Sequence, residues 1–305
     1  MVVHIKEASK GKLIADSGFQ GFDVCLNSYV GCAGHGCAYC YVRFFIRDKD
    51  HAWGDFVRLR KHIPTKLPGE LKKNVGKRLV MGTMCDPYQP IEETELLTQT
   101  ALKIILNFQN QTQPGLKRVG IFTKSTLIKR DQELIEQLPD PSIHFTLTPY
   151  PTEVIKLLER ETKPLADRFQ VLQAFKDGKK VKVCVNVAPM IPTISDPIVP
   201  EILKKLLEMD VHQFFVDPMQ VYTDSLIAVD AEMEKVKYEG WDKICEVLKD
   251  DVKYDLWKEG MEKTCTDLVK ASKNLTTRCI WCDHVNKVWK DMRTGKDIDQ
   301  KTYQV

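Results

Sequence analysis

Six short apolar runs, 22–29, 78–83, 118–123, 143–148, 181–188 and 213–217, have the β-branched and aromatic content of strands. Between them the apolar positions fall into helical spacing. Leu97, Ala101, Ile104, Ile105 and Phe108 share one stripe, Leu165, Phe169 and Leu172 another, and 132–138, 152–159 and 198–208 repeat the pattern. Strands alternating with helices at this interval predict parallel β-α-β units with right-handed crossovers. The expected class is α/β, a partial (β/α)6 TIM-like barrel of parallel strands over residues 1–222. Beyond Tyr222 the strand signal stops. Residues 223–305 are expected to form a mainly helical extension with a charged, mobile tail from Lys290.

In such folds the chemistry sits beyond the carboxyl ends of the strands. Cys32 follows the first run, Cys85-Asp86-Pro87-Tyr88 the second, Lys124-Ser125 the third and Thr148-Pro149 the fourth. On the fourth, His144, Thr146 and Thr148 share a face, so a lumen-facing Thr146 becomes a hydrogen-bonding position for a ribose. On the fifth, Val181, Val183, Val185 and Val187 should pack against helices, which aims Asn186 at the lumen, toward cofactor or substrate.

The 305 residues suffice for a large core, and no run is apolar and long enough to span a bilayer. No signal-peptide pattern opens the chain, so a cytoplasmic, reducing location fits its ten cysteines better than a disulfide scaffold. Net charge is only +3, but residues 41–78 hold eleven Lys/Arg against four Asp/Glu. Interleaved with Phe44, Phe45, Trp53 and Phe56, the basic segment 43–78 suits a nucleic-acid or nucleotide substrate. A solvated helix face is the plainer alternative.

The decisive feature is Asn27-Ser-Tyr-Val-Gly-Cys32-Ala-Gly-His-Gly-Cys37-Ala-Tyr-Cys40-Tyr41, three thiols in a glycine-rich loop, 27–41, after a strand. Three thiolates hold a four-iron cluster and leave one iron free to chelate S-adenosylmethionine, the source of a carbon radical. A zinc site would need a fourth ligand, for which His35 is the close candidate at a crowded spacing. Cys279-Ile-Trp-Cys282-Asp-His284 invites a second metal site, being half of many zinc and iron–sulfur frames.

From Asn27 to about Tyr222 the chain resembles the radical S-adenosylmethionine superfamily, in the branch similar to spore photoproduct lyase and its uncharacterised relatives. Beyond the cysteines the resemblance rests on Gly82-Thr-Met-Cys-Asp-Pro-Tyr-Gln-Pro90, on Thr123-Lys-Ser125 with Arg130-Asp131, and on Ala188-Pro-Met-Ile-Pro192. One departure is that four residues, not the usual three, separate Cys32 from Cys37. Gly34 and Gly36 are placed to absorb the insertion.

The resemblance implies a [4Fe–4S] cluster on Cys32, Cys37 and Cys40, with S-adenosyl-L-methionine as cofactor. It implies Tyr39 against the adenine and Lys124 on the cofactor carboxylate or ribose. An external one-electron donor, flavodoxin- or ferredoxin-like, would be required. The expected reaction is hydrogen abstraction from an unreactive carbon by a 5′-deoxyadenosyl radical, in a lyase, isomerase or other modifying enzyme. The branch suggests a pyrimidine or thymine-derived base, in repair or base hypermodification. Cys85, at the mouth of the second strand, is the candidate catalytic thiol that returns a hydrogen atom. The alternative is a nucleic-acid-binding iron–sulfur module whose cluster is structural or redox-sensing.

Overall fold

The computed structural model describes residues 3–283, 287–300 and 303. Its strands are β1 (His4–Glu7), β2 (Ile14–Asp16), β3 (Val24–Leu26), β4 (Tyr29–Val30), β5 (Phe56–Leu59), β6 (Arg78–Met81), β7 (Arg118–Thr123), β8 (Ser142–Leu147), β9 (Lys182–Met190), β10 (Gln213–Pro218), β11 (Arg278–Asp283) and β12 (Val288–Asp291). The main sheet runs β12-β11-β10-β9-β8-β7-β6-β3-β2, parallel from β3 through β11 with antiparallel β2 and β12 at its edges. This is a partial barrel of the expected class. The first apolar run divides: β3 enters the barrel, while β4 joins β1 and β5 in a small separate sheet.

Strand alternation sorts the side chains into two environments. Val183, Val185 and Val187 of β9 face outward into the main core, beside the helix Leu165–Gly178, whose Val171, Leu172 and Phe175 are buried. Each such aliphatic side chain contributes about 1.5–3 kcal/mol by leaving water. The opposite face of the sheet carries Phe22, Val80, Cys184, Phe215 and Cys282, which make a smaller apolar cluster on the lumen side.

Two expectations for the C-terminal part need correction. Helices Thr223–Lys235, Trp241–Lys249 and Asp251–Ala271 fill its first half as predicted, but β11 then extends the barrel beside β10. Nor are the described residues from Lys290 onward a mobile tail. Lys290 lies in β12 and pairs with Glu262 at 2.8 Å, and Met292 and Tyr303 are buried. Met261, Cys265, Val269 and Trp281 share the main core. Among the described residues no helix is long and apolar enough to cross a membrane.

Candidate active site

The cysteine loop leaves β4 through Gly31 and turns at Gly34 and Gly36, whose φ values of +89°, +84° and +45° lie where a side chain is disfavoured. Gly34 N donates to Gly54 O at 3.2 Å, and a Cβ on Gly36 would stand 2.9 Å from the Gly54 Cα. The longer Cys32–Cys37 interval is thus accommodated by two left-handed glycines packed on a neighbouring turn. Cys32, Cys37 and His35 are buried and Cys40 is half-buried.

Residues of the loop after β6 hold this loop in place. Gln89 Oε1 accepts from Ala33 N at 2.8 Å, and its Nε2 donates to Gly31 O at 3.3 Å. Asp86 accepts from Tyr88 N at 2.9 Å, Thr123 Oγ1 at 2.6 Å and Lys124 N at 3.0 Å, which joins the ends of β6 and β7. Asn27 bridges to Thr83 and Met84 at 3.1 and 2.9 Å. The Gly82–Pro90 string therefore acts as a clamp on the cysteine loop, a role that falls on Gln89 without any sequence signal beyond its motif.

A cavity of about 680 Å³ opens above the strand ends, within the range of ligand sites. Cys32, Cys37, Cys40, Tyr39, Lys124, Thr146, Asn186 and Cys85 all line it, so every candidate site residue converges on one space. Thr148 does not. It is fully buried and donates to Glu159 instead. The far wall is aromatic: Phe122 and His144 stack with centroids 4.4 Å apart, and Phe215, Trp289 and Tyr303 meet edge to face. Burial pushes the His144 imidazole down to about 3, so it is neutral.

At the cysteine end lies a buried ionic network that the sequence did not reveal. Lys124 Nζ donates to Glu159 Oε1 at 2.8 Å, to the Tyr39 hydroxyl at 2.5 Å and to Cys37 Sγ at 3.4 Å. Tyr39 and Thr148 donate to Glu159, and Arg168 pairs with the same carboxylate. Burial alone would raise the Glu159 carboxyl, but Lys124 and Arg168 outweigh it and hold it well below its usual value. Arg168 had a signal: it lies on the apolar stripe of Leu165, Phe169 and Leu172, where a solvated cation has no place.

Cys85 is buried, and its thiol donates to Tyr29 O at 3.1 Å. Burial pushes the thiol up to about 12, so it keeps its hydrogen at neutral pH.

The donor set fits an iron–sulfur cluster better than a single ion. A tetrahedral zinc would draw sulfurs to about 3.8 Å apart at its usual bond length. Among the described residues, the atoms of Cys32, Cys37, Cys40 and His35 supply no three within 4.8 Å of one another. Burial raises the thiols of Cys32, Cys37 and Cys40, the last up to about 12, and coordination is what would deprotonate them. Buried thiols, tightly turned glycines and an adjoining cavity accommodate a bulky inorganic core.

The second metal site finds no such support. Cys279 and Cys282 sit three residues apart on β11 and point to opposite faces, Cys279 into the main core and Cys282 into the lumen. One ion cannot take both thiols, and His284 lies outside the described residues.

The basic segment also divides. Arg43 and Arg47 line a second cavity of about 440 Å³ that shares Trp53 with the first. Arg58 pairs with Asp48 at 2.9 Å, and Lys61 pairs with Glu95. Lys72, Lys73 and Lys77 precede β6, at the strand-start end of the barrel, and Arg78 pairs there with Asp23 at 2.7 Å. These cations therefore do not make one continuous face.

Parallel strands whose carboxyl ends surround a three-cysteine loop and a ligand-sized cavity define an iron–sulfur enzyme built on a partial barrel. A sequence profile of the Radical SAM superfamily matches residues 26–206, and the chain belongs to that superfamily. Its cofactors are a [4Fe–4S] cluster and S-adenosylmethionine. An uncharacterised protein of Methanocaldococcus jannaschii is 25% identical over 195 residues, spanning 64% of this chain and 70% of the other. The fold is similar to that of spore photoproduct lyase. In a mutant solved with S-adenosylmethionine and dinucleoside spore photoproduct, the TM-score is 0.63 at 14% identity, covering 91% of this chain and 81% of that one. Another mutant with the same photoproduct gives 0.62 at 14% identity, over 92% and 82%.

Proposed function

We propose that this enzyme abstracts hydrogen from an unreactive carbon of a pyrimidine base, thymine-derived, presented by DNA or a nucleotide. When bound, the cluster and S-adenosylmethionine supply the 5′-deoxyadenosyl radical. The observation that carries the reading is the cavity itself. One end holds the cysteine loop, and the other ends in stacked rings of Phe122 and His144 with Phe215 and Trp289 beside them. A flat, uncharged heterocycle suits a wall of rings whose imidazole is neutral, because it can stack without leaving a charge desolvated.

In this reading Tyr39 lies against the adenine, Lys124 takes the cofactor carboxylate, and Thr146 takes the ribose. Asn186, next to Thr146 in the β8–β9 register, meets cofactor or substrate. Cys85 donates a hydrogen atom to the product radical, and the thiyl radical left on Cys85 returns to the thiol by taking one electron from the external donor and one proton from solvent. The reducing electron comes from an external donor, for which a flavodoxin- or ferredoxin-like protein is proposed. Phosphate would stay outside the aromatic end, near Arg43 and Arg47 at the adjoining cavity.

The test is anaerobic turnover with DNA carrying deuterated thymine, followed by mass spectrometry of 5′-deoxyadenosine and of the digested bases. The expected result is deuterium in 5′-deoxyadenosine, with binding that weakens as salt rises. Cofactor cleavage without any label transfer from DNA or nucleotides would reject the pyrimidine reading.

A further inference from the structure

Lys124 touches more than a cofactor site requires. Its ammonium donates directly to Cys37 Sγ at 3.4 Å, and the cavity leaves its side chain only 14% exposed. Behind it, the carboxylate of Glu159 is fully buried between Lys124 and Arg168, with Tyr39 bridging. The described groups thus place two cations and one anion beside a thiolate that belongs to the cluster. In a dry site a fixed positive charge and an N–H···S bond favour the more negative, reduced form of an iron–sulfur centre.

We infer that Lys124 and Glu159 form a pair that sets the reduction potential of the cluster, Lys124 raising it through Cys37 and Glu159 restraining that effect. Reduction adds one electron to the cluster and changes no bond in the pair, so the proposal is one of positioning charge. It is independent of which substrate the enzyme takes, and it differs from the cofactor-carboxylate role because it acts before the cofactor binds. Tyr39 belongs to the arrangement, since its hydroxyl accepts from Lys124 and donates to Glu159.

The experiment is an EPR-monitored redox titration of anaerobically reconstituted protein in the absence of S-adenosylmethionine, on variants matched for iron content. Lys124→Gln should make the cluster about tenfold harder to reduce at a fixed ambient potential, a downward shift of about 59 mV for one electron. Glu159→Gln should shift the midpoint upward, and Lys124→Arg, which keeps the charge, should stay near the parent. If Glu159→Gln fails to fold, the contrast between Lys124→Gln and Lys124→Arg carries the test alone. Unmoved midpoints, or shifts of the same sign in Lys124→Gln and Glu159→Gln, would overturn the inference. A lysine serving only the cofactor carboxylate would weaken cofactor binding and leave the cofactor-free potential where it was.

Discussion

Cys85 is a thiol whose surroundings keep it a thiol. Buried at the mouth of β6 and hydrogen-bonded to Tyr29 O at 3.1 Å, it is pushed up to about 12. A hydrogen-atom donor must retain its S–H, and a group with a raised pKa does so at every pH below that value. Turnover in D2O should therefore place solvent deuterium in the product, from the exchanged thiol, at a level that is flat over roughly pH 6 to 9. Cys85→Ala should reduce that incorporation about tenfold, a change of about 1.4 kcal/mol in the partition of the product radical. Unchanged incorporation in the variant would remove Cys85 from the reaction. Its position was legible because it stands inside a motif string at a strand end. Glu159 and Arg168 were hidden for the opposite reason: Lys124 and Tyr39, which meet Glu159, come from 35 and 120 residues away, and only Arg168 on an apolar stripe hinted at burial.

At the scale of elements, alternation carries the most information where it is cleanest. β9 alternates from Lys182 to Val187, and its valines and its Asn186 face as the pattern predicts. β11 was missed because Arg278–Asp283 has only four buried positions in a row, a run too short and too continuous to distinguish from a helix segment. That strand in turn separates two cysteines whose sequence spacing suggested a shared ion. Ser at both Cys279 and Cys282 should leave iron and sulfide at about four per chain after reconstitution, equal to the parent. Loss of half of a parent content near eight would restore a second cluster. The Cys282 substitution should lower thermal stability, because it places a hydroxyl among apolar neighbours at about 1–3 kcal/mol, whereas a serine at 279 keeps Thr277 O and Arg293 as polar partners.

The whole molecule joins two arrangements that composition alone does not separate. The barrel sets Lys124 after the end of β7, Thr146 on β8 and Asn186 on β9 around one cavity, and Cys32 joins them from the loop after β4 of the smaller sheet. Charge was less legible. The excess of cations in 41–78 is real in sequence, yet the path from the cysteine loop through β5 to the start of β6 carries it from one end of the barrel to the other. Several of those cations are then spent on local carboxylates, including Asp48, Glu95 and Asp23. Stacking in the cavity, rather than a continuous basic face, is what the substrate reading depends on.

The most direct measurement is 5′-deoxyadenosine production by the anaerobically reconstituted, dithionite-reduced protein given S-adenosylmethionine, read by liquid chromatography and mass spectrometry beside the iron content. The parent should form 5′-deoxyadenosine with about four irons per chain, and Cys32→Ala, Cys37→Ala and Cys40→Ala should each abolish it. An intact, reducible cluster that binds the cofactor and yields no 5′-deoxyadenosine would contradict the account.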